Sequence, residues 1–269
     1  MNPLRDGLRR IAFELHAYFR APDQVFFTFA FPLLMFLLFT AMFSGQRLGA
    51  GADGEGGVAP AQYYLAAMIT ASVLLSGTQN LGIDLAEERL GGGLARLGTT
   101  PLRPASFFIG KFGLVAITCL VQTVLLVLLA TLGFGAELPA DPGRWGVLLW
   151  SWGLGTACCA VLGVALSAVP RTPRAAAPVV IPTVLLLQFV SGIYISVGLL
   201  PEWMQLLAAV FPVLWIGHGV RYALLPESFG AGEPTGDWQL PLAAAVIAAW
   251  LVAGLVCSRL TFRWSRGRS

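Results

Sequence analysis

The sequence predicts an all-α membrane protein, a single domain over 1–269 with six transmembrane helices. Three observations carry this. Hydrophobic residues make up 57% of the chain and charged ones only 12%, with a mean hydropathy of +0.75. Six apolar stretches approach the length of about 20 residues that a hydrocarbon core of roughly 30 Å requires of a helix. Basic residues also gather in every second interhelical segment, as they do where alternate loops stay on the cytoplasmic side.

Residues 1–23 precede the first span. Leu4, Leu8, Ile11, Leu15 and Phe19 recur at intervals of three and four, which marks one face of a helix. Arg5, Arg9, Glu14, His16 and Arg20 fall away from that stripe. With Arg10 among its cations, the segment suits an amphipathic helix lying in the membrane interface, ended by Pro22.

The first span covers 24–43. Its apolar part is too long, and its flanks too poor in small residues, for a removable signal peptide, so it reads as a retained helix. The glycine-rich stretch 44–60 has no Gly-Lys-Ser/Thr ending and cannot cradle phosphates as a P-loop does; the sole lysine is Lys111. The second span covers 62–83.

Between it and the third span, 84–105 form a charged, glycine-broken island. It is too long for a minimal turn and too short to build its own core, which makes it a docking surface. Gly91, Gly92 and Gly93 each weaken a helix by roughly 1 kcal/mol relative to alanine and so mark a bend. The third, fourth and fifth spans cover 107–132, 145–168 and 178–197.

In 198–239 the apolar run 199–216 is interrupted by Pro201 and Pro212, too broken to span unaided. It reads as a re-entrant or interfacial helical hairpin on the outer face. The last span covers 240–257, and the arginines of 259–268 hold it against anionic headgroups at about 1 kcal/mol each. A seventh span in 198–239 would carry those arginines outside, against the charge rule.

With six spans both termini share one side, which holds fourteen of the 17 basic residues and six acids. The other side keeps Arg47, Arg144 and Arg221 against eight acids. That asymmetry places both termini in the cytoplasm. The positive net charge reflects topology, and no basic patch with interleaved aromatics points to nucleic acid.

Enzymatic readings find no residues to use. His16 and His218 lie on opposite sides of the membrane by this topology, so no metal site is expected; there is no nucleophile elbow, and no acid pair lies within a span. Cys119, Cys158, Cys159 and Cys257 lack Cys-x-x-Cys spacing and read as packing residues. Gradient-driven transporters bury acids or histidines mid-span, and these spans carry none away from their ends. Gln122, Thr123, Gln188, Phe189, Ser191 and Tyr194 could line a pathway or equally serve as packing contacts between helices.

The island resembles a family signature. Glu88, Arg89, Gly92, Leu94, Arg96, Leu97, Thr100 and Pro101, followed by Gly110 and Lys111, match the inner loop of the membrane subunit of type 2 ATP-binding-cassette (ABC) transporters, in the branch with daunorubicin-resistance-type permeases. Leu90 and Gly93 depart from the pattern, and Glu87 stands in for the lost acid. A second similarity runs through Ser191-Gly192-Ile193, Leu200-Pro201-Glu202-Trp203, Phe211-Pro212 and Gly219-Val220-Arg221.

The resemblance implies a permease of a bacterial cytoplasmic membrane, paired with a second permease subunit as a homodimer or heterodimer. Two ATP-binding subunits would hold the ATP and Mg, and this chain would bind no cofactor and be no enzyme itself. Glu87, Glu88, Arg89, Gly92, Leu94, Arg96, Leu97, Thr100 and Pro101 would form a cytoplasmic coupling helix. In it, Glu88 and Arg96 would make polar contacts with the ATPase while Leu94 and Leu97 fill its groove. The cargo implied is an amphipathic drug, lipid or glycolipid moved outward. Polysaccharide export is the family-level alternative; a gradient-driven transporter or a non-transporting membrane scaffold is the alternative from other classes.

Overall fold

The computed structural model describes residues 3–48, 57–100, 103–233 and 237–261. Among them the structure is helical, with one isolated antiparallel bridge joining Leu48 to Val58. Helices α1 (Pro3–Phe19) and α2 (Pro22–Met42) are followed by α3 (Pro60–Leu74), a π-helical turn (Leu75–Asn80) and α4 (Leu81–Leu90), which run on without a break. Next come α5 (Gly93–Gly98), α6 (Pro104–Leu128) with a π turn at Leu129–Gly133, α7 (Pro142–Leu166) and α8 (Ala176–Val190). Then α9 (Glu202–Val210), α10 (Pro212–Leu224) and α11 (Leu240–Thr261) complete the chain.

Proline sets many of these starts. Pro22, Pro60, Pro104, Pro142 and Pro212 occupy first-turn positions, where the missing N–H costs nothing and the fixed φ suits a helix. Two further prolines, Pro32 and Pro182, lie inside α2 and α8. Pro32 cannot donate to the Thr28 carbonyl four residues back. The Gln122 amide of α6 does so instead, at 2.8 Å.

Five helices are long and apolar enough to cross a membrane: those over Pro22–Met42, Pro104–Gly133, Pro142–Leu166, Pro173–Val190 and Leu240–Leu260. The second predicted span is not among them. It falls on the run from α3 to α4, which carries Gln62, Gln79 and Asn80. Every residue of α3 except Gln62 is buried, packed among α2, α6, α7 and α10. A helix wrapped by other helices need not be apolar all round, because its polar groups find partners in protein rather than in lipid.

One further boundary differs from expectation. The fifth span stops at Val190 rather than running to 197, because Gly192 takes a left-handed φ of 78° and its carbonyl accepts a hydrogen bond from Tyr63 Oη at 2.9 Å. In the outer segment, α9 and α10 meet at Phe211–Pro212 with a bend of 93°. Almost all of α10 is buried. Its Arg221 donates to both oxygens of Glu233 at 2.6 and 3.0 Å, and His218 Nδ1 lies 3.2 Å from the same carboxylate. Burial alone would raise the Glu233 carboxyl, but Arg221 and His218 outweigh it and hold it at about 2.

The first π turn and α7 make a close helix contact. Thr78 donates to the Cys159 carbonyl at 3.0 Å, and Gly77 and Gly163 face each other with backbone against backbone. Small residues permit this approach, as they do at many membrane helix crossings.

Candidate functional site

The charged island folds as a helical elbow. The central helix continues through α4, ends at Leu90, and restarts as α5 after Gly92, whose φ of 78° is the left-handed conformation that glycine adopts without strain. The bend expected at Gly91 to Gly93 is therefore present. The island is two helices rather than one, and its first half is an extension of the protein's most buried helix. Pro101 lies outside the described residues.

The elbow's residues divide between inward and outward roles. Leu94, expected to fill a partner's groove, instead points into the protein against Leu81, Leu85, Phe107 and Val115, with Leu97 packed partly beside it. One side of so short a helix has to be buried for it to hold its place. The exposed side carries Ala95, Arg96, Thr99 and Thr100, and Glu87 is exposed at the end of α4. Thr99 and Thr100 hydroxyls donate to the carbonyls of Arg96 and Leu97 at 2.7 Å, closing the helix C-terminus.

Glu88 and Arg89 are committed within the chain. Arg89 Nη2 donates to the carbonyls of Ser167 and Pro170 at 2.9 and 3.0 Å, tying the elbow to the α7–α8 connection. Arg89→Ala should free that connection, and trypsin should then cut after Arg171 and Arg174 about tenfold faster, given about 1.5–3 kcal/mol for charged hydrogen bonds. An unchanged cleavage rate would mean that the tie contributes nothing.

Glu88 meets the sole lysine. Lys111 Nζ lies 2.5 Å from Glu88 Oε1 and 3.1 Å from Glu14 Oε2, so one ammonium joins α6, the elbow and α1. Arg10 Nη2 completes the node at 2.6 Å from Glu14 Oε1, with its guanidinium 4.5 Å from the Phe13 ring centroid. The side chains of Lys111 and Glu14 are only 4% and 6% exposed. Gly110 makes the approach possible, since a Cβ there would run into the Arg10 side chain.

This node seats one side of α1 against the protein. Its protein-facing side is Gly7, Glu14 and Tyr18, with Arg10 turned partly inward, while Leu8 and Phe19 of the apolar stripe are exposed. Arg10 is thus an internal ion-pair partner rather than an interfacial cation; Arg5, Arg9 and Arg20 remain exposed. Glu14 can be buried because Arg10 and Lys111 neutralise its charge.

The six pathway candidates separate as well. Gln122 is fully buried and occupied with Thr28, and the Thr123 hydroxyl accepts from Trp152 Nε1 at 3.1 Å, so both act as packing contacts. Gln188 lines a cavity of about 450 Å³ between α2, the first π turn and α8, and accepts a hydrogen bond from Tyr194. Phe189 is exposed and packs on the Tyr194 ring, while Ser191 is buried.

Several residues of this region drew no attention in the sequence. Gln24 and Thr28 on α2 face Ser76, Asn80 and Asp84: Gln24 Nε2 donates to Asp84 Oδ1 at 3.2 Å and Asn80 Nδ2 to Thr28 Oγ1 at 3.1 Å. Residues 76, 80 and 84 repeat every four positions. That polar stripe at helical spacing is a legible signal.

A family model described as an ABC-2 family transporter protein matches residues 55–260. None of the curated proteins matches the chain.

Proposed function

The chain belongs to the ABC-2 transporter family, a multi-pass membrane permease component that works with an ATP-binding partner subunit, and from that premise we propose that it exports an amphipathic cargo when ATP closes its partner. The observation that carries this reading is the elbow. An exposed short helix, anchored through Leu94 and Arg89, is joined by α4 directly to the buried centre of the protein. Force applied to α5 crosses only the Gly91–Gly92 bend, beside which Leu94 and Arg89 are held by the protein, before reaching α3 and the cavity near it.

The cargo class follows from that cavity. Phe27, Phe31, Leu75, Ile181 and Leu185 supply an apolar wall, and Gln24, Gln79, Asn80 and Gln188 supply amides. Such a lining favours a drug, lipid or glycolipid over a polysaccharide, whose many hydroxyls would leave the apolar wall unused. The charge asymmetry supports cytoplasmic termini, with α5 on the side where ATP is available. Two permease subunits, alike or different, with two ATP-binding subunits would form the working complex.

The test is co-expression with candidate ATP-binding subunits from the same genome, reading subunit content and ATP hydrolysis in lipid nanodiscs. A two-plus-two assembly that hydrolyses ATP is expected; failure to assemble with any such subunit overturns the reading. Within the complex, Arg96→Glu combined with Ala95→Trp should weaken association about tenfold or more, the effect of losing a hot-spot contact. Both positions are exposed, so the variant permease should still fold, which its unfolding midpoint would check.

A further inference from the structure

Beside the cavity of about 450 Å³ lies a second, much smaller one of about 20 Å³. Gln24, Thr28 and Asn80 line both, so the two are adjoining. The small cavity also carries Asp84, Tyr18 and Ser76. Its volume suits one water-sized group, since about 10–15 Å³ holds a water.

Its chemistry is that of a cation acceptor. Asp84 accepts hydrogen bonds from the Gln24 amide but has no ion-pair partner among the described residues. Lys111 is near enough for its charge to be felt, yet it is bonded to Glu14 and Glu88, and Arg10 is bonded to Glu14. Three carboxylates thus share two cations, and Asp84 is the one left over. The hydroxyls of Tyr18 and Ser76 are 7% and 3% exposed; Tyr18 lies beside Thr28 and Ser76 beside the Cys119 thiol, and neither contact has full hydrogen-bonding geometry. Buried hydroxyls are seldom left so.

We propose that this pocket is a cation subsite that takes the primary ammonium group of an amphipathic cargo whose apolar body occupies the adjoining cavity. The proposal rests on the export reading for the word cargo, but its binding chemistry stands apart from it. A primary ammonium has three donors, which Asp84 and the two idle hydroxyls can accept. A quaternary ammonium is too large for a water-sized space and has no N–H to give.

The test reads binding on the purified permease alone, in nanodiscs, as the shift of its unfolding midpoint with decylamine, decyltrimethylammonium and decanol. Decylamine should stabilise and the other two should not. Asp84→Asn, close to isosteric, should weaken the decylamine effect about tenfold, the usual loss for a hydrogen-bonded charge. Equal stabilisation by decanol or decyltrimethylammonium, or a decylamine effect undiminished in Asp84→Asn, overturns the subsite. If Asp84→Asn fails to fold, the three probes on the unaltered protein still decide. Because no ATPase is present, failure to assemble an ATP-driven complex and failure to bind the amine are separate outcomes.

Discussion

Lys111→Met is expected to destabilise the protein by about 3–5 kcal/mol, the cost of leaving buried charges without their partner. Both carboxylates it neutralises are affected: Glu14 is nearly inaccessible and Glu88 is one-third exposed, so most of the loss should come from Glu14. Removing the charges together should undo the damage. Arg10→Gln, Glu14→Gln and Glu88→Gln added to Lys111→Met ought to recover most of the stability, since a node neutralised throughout leaves no uncompensated ion.

Coupling should not recover with it. The node joins α1, the elbow and α6, so the rescued quadruple variant should fold yet show weakened transmission from ATP hydrolysis to the spans. The measurement is unfolding in detergent or nanodiscs for all three steps of the series, together with ATPase activity of the assembled complex. If Lys111→Met alone is as stable as the native chain, the node is a surface ion pair of the usual small worth, and the reading of α1 given above is wrong.

Gly163→Ala should cost about 3 kcal/mol, the upper end for overpacking. A Cβ at this position meets the Gly77 carbonyl oxygen and lies 3.2 Å from Thr78 Cα. These are backbone atoms of the central helix, and they cannot rotate away as a flexible side chain would. The control is in the same helix: a Cβ at Gly146 meets nothing within 4 Å, so Gly146→Ala should be neutral or gain up to about 1 kcal/mol from helix propensity. Denaturation midpoints of the two variants, compared side by side, check the contrast. Equal behaviour would mean that the crossing of the π turn and α7 is looser than the contacts here describe.

The same crossing shows how much of this molecule is readable in one dimension. The apolar runs and the glycines of the island are local signals, and they located the spans and the elbow to within a few residues. The early end of α8 is a partial exception, because Gly192 is visible in the sequence but the hydrogen bond that holds it comes from Tyr63, 129 residues away. For the second span, 62–83, only packing reveals that α3 is wrapped by α2, α6, α7 and α10.

The candidate site was legible in outline and wrong in orientation. The family signature pointed to residues 87–101, and the elbow is there. Leu94 faces inward, however, and Glu88 and Arg89 are occupied within the chain, which leaves Glu87, Ala95, Arg96, Thr99 and Thr100 as the face open to a partner. Of the pathway candidates, Gln122 proved to be answering the carbonyl that Pro32 leaves unpaired.

What the sequence by itself determined was an all-α membrane protein, the approximate places of its helices, and where the chain must bend, because periodicity, hydropathy and the backbone limits of proline and glycine act within a few residues. Only the tertiary structure decided which face of each helix is buried and which charges meet. Lys111 finds Glu88 across 23 residues and Glu14 across the gap between α1 and α6, and no local pattern encodes such pairings. Gly7, Glu14 and Tyr18 of α1 therefore face the protein, since a neutralised charge can be buried, while Leu8 and Phe19 stay outside with Arg5 and Arg9, where the membrane interface accepts them.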